Sequence, residues 1–337
     1  MGPANAQNIP TPSGPQHSPA IMSILVIYTG GTIGMAPSVT GLVPKPNFLA
    51  GFLRAQPSFH DSAHDGPGLL LPANRFGRRV RYELLEYEQL LDSANMGLED
   101  WKRIARDLER HYHEYDAFVV LHGTDTMAYT ASALSFMLEN LEKTVIVTGS
   151  QLPLIEPMSD GHDNLLGALT LAGRFVIPEV SVYFDKKLIR GNRTTKTDAD
   201  SMDAFASPNA SPLSHVGSTI DMQWDRMFYP TRPQGGLGEA AKGGGKVRVG
   251  TSGFRAYTSQ IEPNVAVLTL FPSITAAILR NFLQAPLMAV VLLTFGAGNF
   301  PDNRPVLIGE LQKAIARGVV VVNCTQCIKV RRALIAA

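Results

Sequence analysis

Val119-Val120-Leu121-His122-Gly123-Thr124-Asp125-Thr126-Met127 decides the fold: a short apolar run stops abruptly in small, polar and ionisable residues. A parallel strand covered on both faces of its sheet reads as continuous Val, Ile and Leu. In open α/β sheets, ligands bind just beyond the carboxyl ends of such strands. Apolar residues then recur at helical spacing, which predicts a helix over 127–141 with Thr126 as its N-cap. Thr124 and Asp125 therefore lie in the turn between strand and helix.

Two further apolar runs end in the same way. Residues 24–28 lead into Thr29-Gly30-Gly31-Thr32-Ile33-Gly34, and residues 144–147 lead into Thr148-Gly149-Ser150. Glycine lets a backbone approach a small ligand closely. We call the turns at 29–34, 122–126 and 148–150 the first, second and third glycine corners. Three such corners in one domain predict a pocket lined by hydroxyls and backbone N–H groups.

Strand and helix patterns alternate along the rest of the chain, which favours parallel, doubly wound sheets. In the first part, strands are expected at 81–90 and 180–184, and helices at 99–115 and 160–174. A second βαβαβ unit follows, with strands at 265–270, 288–294 and 319–323 and helices at 274–283 and 308–317. The fold class is therefore α/β: two doubly wound domains with mostly parallel sheets, a large N-terminal one and a smaller C-terminal one.

Composition shifts set the expected boundaries. Residues 1–21 predict a disordered leader, 22–206 the large domain, 207–254 a linker rich in Pro, Ser and Gly, and 255–337 the small domain. Residues 36–79 are dense in Pro and Gly, and two interpretations stay open for them. They form either a mobile flap over the site or a surface excursion without a role.

Charge and cysteine content exclude several classes of protein. The 337 residues carry 30 Lys and Arg against 29 Asp and Glu, a formal charge of +1, so neither nucleic acid nor an anionic membrane is indicated as a partner. A small neutral or zwitterionic substrate fits better. The first 21 residues lack the basic and apolar regions of a signal peptide, and no apolar run reaches ~18 residues. Two cysteines exclude a disulfide framework, so a cytoplasmic location is expected.

Three motifs in order carry a resemblance to a known family. Thr29-Gly30-Gly31-Thr32-Ile33-Gly34-Met35, His122-Gly123-Thr124-Asp125-Thr126-Met127 and Arg190-Gly191-Asn192-Arg193-Thr194-Thr195-Lys196 resemble the motifs of the bacterial-type L-asparaginases. More narrowly, the chain is similar to the cytosolic type I branch, which includes the animal asparaginase/60 kDa lysophospholipase proteins. The resemblance runs from about residue 24 to residue 327.

The resemblance implies an amidohydrolase that converts L-asparagine to L-aspartate and ammonia, without a metal or organic cofactor. Such chemistry needs a nucleophile, a base and donors for the oxyanion. Thr32 is expected to attack the amide carbon and form an acyl-enzyme. Thr124, Asp125 and Lys196 are expected to form the assisting triad, with Lys196 as base on Thr124, and this triad activates either the nucleophile or the hydrolytic water. Taken alone, Thr32 is more typical of a turn residue that closes a strand, Asp125 of a turn acceptor or a charge at a helix N-terminus, and Lys196 of a solvated surface amine. Three matching motifs favour the catalytic interpretation.

Substrate-binding residues are also implied by the resemblance. Backbone N–H groups of the glycine corners, including Gly31, are expected to stabilise the oxyanion. The segment Asp92-Ser93-Ala94-Asn95 occupies the place where family members bind the α-carboxylate and α-amino groups of the substrate, together with Thr124 and Asp125. Asn95 replaces an aspartate and lacks the charge that would pair with an ammonium group. Leu42 stands where bacterial relatives place a loop tyrosine.

The chain is expected to be a C-terminally shortened member of the branch, because type I proteins continue beyond the position of Cys327. The resemblance also implies a homodimer or homotetramer with sites between subunits. Two other functions stay open: a non-catalytic ligand-binding or regulatory scaffold, and a lysophospholipase-type acyl hydrolase, which the absence of a Gly-x-Ser-x-Gly motif disfavours. A nucleotide-binding protein is disfavoured, because none of the glycine corners has the full fingerprint spacing.

Overall fold

The computed structural model describes residues 21–39, 41–73, 79–228 and 253–330. Its strands are β1 (Met22–Gly30), β2 (Met35–Ser38), β3 (Gly41–Pro44), β4 (Leu69–Leu70), β5 (Val80–Leu91), β6 (Ala117–Leu121), β7 (Leu138–Glu139), β8 (Thr144–Thr148), β9 (Val180–Phe184), β10 (Lys187–Arg190), β11 (Thr195–Lys196), β12 (Phe205–Ala206), β13 (Ser214–Val216), β14 (Ile220–Met222), β15 (Arg255–Ala256), β16 (Val265–Thr269), β17 (Ala289–Thr294) and β18 (Val320–Thr325). Its α-helices are α1 (Phe48–Ala55), α2 (Leu98–His111), α3 (Met127–Met137), α4 (Gly161–Arg174), α5 (Ala276–Phe282) and α6 (Pro305–Ala316). Within these ranges, no helix is long and apolar enough to cross a membrane.

The centre of the large domain is a parallel sheet of five strands in the order β9-β8-β6-β1-β5. Antiparallel strands extend both edges, with β4 beside β5 and β10, β13 and β14 beyond β9. The central strands β6 and β8 are buried at every residue, as continuous apolar runs predict for a sheet covered on both sides.

Two hydrophobic cores cover the two faces of this sheet. On one face, Leu165 and Leu169 of α4 pack with Ile24 and Val119. On the other face, α2 and α3 supply buried residues that pack with Ile27 and Val120, which alternate with the first set along the strands. The predicted doubly wound α/β domain is confirmed.

The order of strands places a topological switch point between β1 and β6. From β1 the chain runs to β5 on one side and then, through α2, to β6 on the other side. A crevice opens at the carboxyl ends of two such strands, and ligands bind there in open α/β sheets. Thr32 follows β1 and Thr124 follows β6, so both predicted catalytic threonines stand at this crevice.

The small domain is the expected βαβαβ unit. Strands β16, β17 and β18 pair in parallel in that order, and α5 and α6 form the two crossovers. Successive right-handed crossovers in one direction put both helices on the same face. The helices bury Leu268, Val290 and Leu292 on that face, whereas Val267 and Val322 on the opposite face are exposed.

Two details differ from the sequence-based expectations, and the open segment 36–79 contains regular elements. The helix predicted over 127–141 ends at Met137, because the next two residues pair as β7 with β15 and Tyr257 N–H donates to Met137 O. The first part of the predicted linker contributes β13 and β14 to the large sheet. The segment 36–79 contains a hairpin and helix α1, whose buried Leu49 and Leu53 pack on the large core, and both interpretations of its role stay open.

Several predictions lie outside the described residues. They concern residues 1–20 of the expected leader, 229–252 of the linker and 331–337 of the small domain. The domain boundaries given by composition therefore stay predictions.

Candidate active site

The backbones of the first two glycine corners are in contact at the switch point. Gly30 and Gly31 have φ angles of 131° and 86°, a region that favours glycine. A Cβ on Gly31 would lie 2.5 Å from the backbone N of Gly123. Only glycine therefore fits at Gly31, and the corner that ends in Thr32 is held against the corner that ends in Thr124.

Thr32 opens a short 3-10 turn, Thr32–Gly34, and its side chain is half-buried. Ile33 O accepts a hydrogen bond of 3.1 Å from Leu154 N–H, which ties the turn to the loop after β8. Gly34 closes the turn against the buried Tyr28 ring, since a Cβ there would lie 2.0 Å from the Tyr28 hydroxyl oxygen. The nucleophile candidate is thus on a turn fixed from both sides.

The predicted triad is assembled by hydrogen bonds. Lys196 Nζ donates to Thr124 Oγ1 over 3.0 Å and to Asp125 Oδ1 over 2.8 Å. Thr124 is buried, the Lys196 side chain is 18% exposed and the Asp125 side chain is 62% exposed. One ammonium group therefore bridges a buried hydroxyl and a carboxylate at the rim, although the two partners lie about seventy residues from it in the chain.

Lys196 is positioned by structure that its own motif builds. It lies in β11, which pairs with β12 so that Lys196 stands opposite the buried Phe205. Upstream, Thr194 Oγ1 donates to Arg190 O over 2.8 Å, and the Arg190 guanidinium forms an ion pair with the buried Glu179. The motif at 190–196 therefore places the Lys196 amine beside Thr124.

Sequence reasoning missed Gln151. The Thr124 hydroxyl donates to Gln151 Oε1 over 3.1 Å, and the Gln151 amide donates to Ala199 O and Ser201 O over 3.0 and 3.1 Å. Its position directly after the third corner, Gly149-Ser150, was the available signal. Gln151 fixes the direction of the Thr124 hydroxyl, because Lys196 already donates to the same oxygen.

The predicted substrate segment lies against the same corner. Ser93 is buried, and a Cβ on Gly123 would lie 2.6 Å from Ser93 Oγ. The Asp92 carboxylate accepts from Ala94 N–H over 3.0 Å and so shapes the turn. Asp92, Ala94 and Asn95 are exposed. Ser93 is therefore the member of this segment that is buried against Gly123.

Two expected pocket groups have other partners. The Thr29 and Thr148 hydroxyls donate to Leu121 O and Tyr183 O on neighbouring strands, over 2.9 and 2.7 Å. They stabilise the sheet, so the pocket is not lined by all the threonines of the corners.

Two further groups of the corners are also engaged. The Gly31 N–H donates to Leu91 O over 3.1 Å. Thr126 stands at the N-cap position, but its hydroxyl donates to Ser93 O over 2.7 Å.

An open cleft of about 750 Å³ borders the triad. It is lined by Asp125, Lys196 and Tyr129 together with the chain from 194 to 199. Within the described ranges, no group of three or more His, Cys, Asp and Glu side chains is placed to hold a metal ion. The arrangement offers hydroxyls, one amine and one carboxylate, which are groups for acyl transfer.

These features define a class: a two-domain α/β protein with threonine hydroxyls, a lysine and an aspartate at the switch point of its large sheet. The N-terminal asparaginase family model matches residues 23–228, and the model of the glutaminase/asparaginase C-terminal domain matches residues 264–333. The chain belongs to the asparaginase family.

Individual relatives agree with this assignment. L-asparaginase 1 of Escherichia coli (strain K12) is 47% identical over 90% of this chain and 80% of its own length. L-asparaginase of Dirofilaria immitis and the 60 kDa lysophospholipase of Homo sapiens are 42% and 46% identical over 91% of this chain. The chain spans only about half the length of these two proteins, 50% and 51%.

A solved relative shows the same fold. The crystal structure of L-asparaginase I from Vibrio cholerae superposes with a TM-score of 0.75 at 41% sequence identity, covering 91% of this chain and 82% of that one. The two-domain α/β architecture is therefore the architecture of the family.

Proposed function

We propose that the protein is an L-asparagine amidohydrolase that forms L-aspartate and ammonia through a threonine acyl-enzyme. Membership of the asparaginase family and the L-asparaginases among its relatives support this proposal. The observation that carries it is the Lys196 ammonium group, which bonds Thr124 and Asp125 at the corner against which Gly31 packs. The next residue after Gly31 is Thr32, the proposed nucleophile.

The proposed reaction has two halves. Thr32 Oγ attacks the side-chain amide carbon, its proton passes through the site to the departing nitrogen, and ammonia leaves an ester on Thr32. Water then attacks the ester, which releases L-aspartate and returns the proton to Thr32. For Lys196 to act as base on Thr124, its ammonium must first lose a proton, and the Asp125 carboxylate 2.8 Å away is an acceptor within reach. With Gly31 N–H engaged, the Gly123 N–H is the corner donor proposed for the oxyanion.

Ser93 and Asn95 are proposed to bind the α-carboxylate and α-amino groups of the substrate, with Asp92 and Ala94 shaping the turn that carries them. Ser93 offers a buried hydroxyl beside Gly123, whereas Asn95 is neutral and exposed. Asp125 is then the nearby anion for the ammonium group of the substrate.

The decisive experiment measures ammonia release from L-asparagine by the purified chain and by Thr32→Ala. Thr219→Ala is the matched control, because Thr219 is exposed in the turn between β13 and β14. We expect turnover in the wild type and the control and a loss of at least about 10³-fold in Thr32→Ala. Turnover that survives in a folded Thr32→Ala protein would remove the nucleophile assignment. A folded wild type without turnover would favour the non-catalytic scaffold.

A second candidate is a lysophospholipase, because the relatives in Homo sapiens and Mus musculus, 46% and 45% identical, carry that name. The same variants separate the two activities. Fatty-acid release from a lysophosphatidylcholine that is lost in Thr32→Ala would place both activities on one site. Release that Thr32→Ala leaves unchanged would assign it to other residues.

We further propose a cytoplasmic homodimer or homotetramer. The exposed valine face of the small sheet supports association, since parallel sheets are normally covered on both faces. Size-exclusion chromatography with light scattering measures the mass directly. A monomer at micromolar concentration that retains full turnover would exclude a site shared between subunits.

A further inference from the structure

His122 precedes the two-glycine contact and is completely buried. Its Nδ1 lies 2.7 Å from Gly123 O, and its Nε2 lies 2.8 Å from Thr130 Oγ1. Trp101 Nε1–H in turn donates to Thr130 Oγ1 over 2.9 Å. The three side chains link helices α2 and α3 to the backbone of the catalytic corner.

Hydrogen-bond chemistry fixes the proton on each atom of this chain. Gly123 O is a carbonyl and accepts only, so the imidazole proton stands on Nδ1. The Nε2 lone pair then accepts the Thr130 hydroxyl hydrogen, and the Thr130 oxygen accepts the indole N–H. Burial lowers the pKa of His122 to about 4, which keeps the ring neutral near pH 7.

The bond to Gly123 O constrains the residues that do the chemistry. A peptide unit is planar, so a fixed Gly123 carbonyl also fixes the N–H and the Cα position of Thr124. Behind the loop, a Cβ on Gly149 would lie 2.2 Å from His122 O, so the backbone of the third corner packs directly on this residue. His122 therefore stands where the three corners meet, without contact to the cleft.

We propose that His122, held by Thr130 and Trp101, is a positioning residue that aims the Gly123–Thr124 peptide and thereby the Thr124 hydroxyl. The inference rests on the proposed amidase function for its kinetic consequence only. The arrangement predicts that the Nδ1 donor matters for turnover, while the Nε2 side serves to hold the ring.

Two substitutions separate the two nitrogens. In His122→Asn, the side-chain amide N–H takes the place of Nδ1–H and still donates to Gly123 O; in His122→Gln, the longer amide reaches towards Thr130 instead. We expect kcat within about threefold of wild type for His122→Asn and a fall of at least about 30-fold for His122→Gln, with KM changed less than threefold in both. Equal kcat in the two variants, or losses that follow their melting temperatures, would overturn the proposal.

An activity-independent measurement keeps the two proposals apart. Nitrogen-15 NMR of the imidazole rings, with His122 assigned by its absence in His122→Asn, is expected to show a neutral Nδ1–H tautomer from pH 8 to pH 5. An Nε2–H tautomer or a ring that protonates in this range would overturn the arrangement. Absence of ammonia release by the wild type would overturn the proposed amidase function, and the tautomer would still decide the hydrogen-bond arrangement.

Discussion

The two parallel sheets differ in what covers their faces and in what stands at their carboxyl ends. The large sheet has a buried core on each face, whereas the small sheet has one buried face and one valine-lined exposed face. At the end of the large sheet, Lys196 bridges Thr124 and Asp125 beside an open cleft. At the end of the small sheet, Asn323 and Gln326 donate to backbone carbonyls of the same domain.

The difference shows that a strand end alone does not make a reactive site. The carboxyl ends of parallel strands lie at one edge of a sheet, where ligands bind in open α/β sheets. In the small domain, the side-chain amides at this edge donate to backbone carbonyls of neighbouring strands and loops. In the large domain, the backbones of two glycine corners are in contact, and Lys196 from a remote motif donates a hydrogen bond to Thr124. Four predictions test this contrast, from the largest expected effect to the smallest.

The ammonium group of Lys196 should carry most of the chemical difference between the two strand ends. Lys196→Met is expected to lower kcat for ammonia release by about 10²–10⁴-fold, because it removes the proposed base on Thr124. Lys187→Met is the matched control: its side chain is 22% exposed, close to the 18% of Lys196, and is also paired with carboxylates. Equal kcat in the two variants would contradict the assigned role.

The first two glycine corners lie so close together that a side chain at position 31 should destabilise the protein. Gly31→Ala places a Cβ 2.5 Å from Gly123 N at a φ of 86°, and we expect a loss of about 2–4 kcal/mol in the free energy of unfolding. Gly51→Ala in α1 meets open space and should raise it by about 0.5–1 kcal/mol. Urea denaturation measures both, and a neutral Gly31→Ala would show that the corners can separate.

Valine burial should distinguish the two sheets. Val120 is fully buried and Val322 is 46% exposed, so Val120→Ala is expected to cost about 2 kcal/mol and Val322→Ala at most about 0.5 kcal/mol. The measurement is denaturant unfolding at two protein concentrations. A cost at Val322 that approaches that at Val120 and rises with protein concentration would show that another chain covers this face in solution.

The buried carboxylate of Glu310 should contribute to the stability of the small domain, and acid should remove this contribution. Arg280 and Lys313 hydrogen-bond Glu310 and lower its pKa from 4.5 to about 2. A lowered pKa stabilises the folded state above pH 4.5, and this contribution is lost as the pH falls towards 2. Glu310→Gln should therefore melt at a lower temperature than wild type at pH 6, and the gap should close towards pH 2. A gap that persists at pH 2 would assign the effect to packing.

Much of the fold can be predicted from the sequence, because buried strands and helices have recognisable patterns of apolar residues along the chain. The continuous apolar run at Val119–Leu121 and its polar end predicted a covered parallel strand, and the alternation of patterns predicted two α/β domains. The bounds of individual elements were less accurate where distant chain intervened. Helix α3 ends at Met137 because β15, more than a hundred residues later, pairs with the next two residues.

The residues of the site likewise divide into those that the sequence predicts and those that it misses. The glycine corners and the motifs pointed to Thr32, Thr124 and Lys196, because glycine next to a hydroxyl is a local feature. Gln151 was missed, since nothing in its neighbourhood shows that its amide accepts from Thr124. The threonine–glycine pattern also predicts the hydroxyls of Thr29 and Thr148 in the pocket, but each donates to a carbonyl on an adjacent strand.

By itself, the sequence determined the secondary-structure alternation, the two-domain α/β class and the set of residues with reactive groups. These properties depend on the type and local spacing of side chains. Only the tertiary structure decided which hydroxyls bond carbonyls on neighbouring strands, which valines are covered and which amine reaches Thr124. Such properties depend on strand order and crossover direction, which bring together residues as far apart as Thr124 and Lys196 and leave one face of the small sheet open.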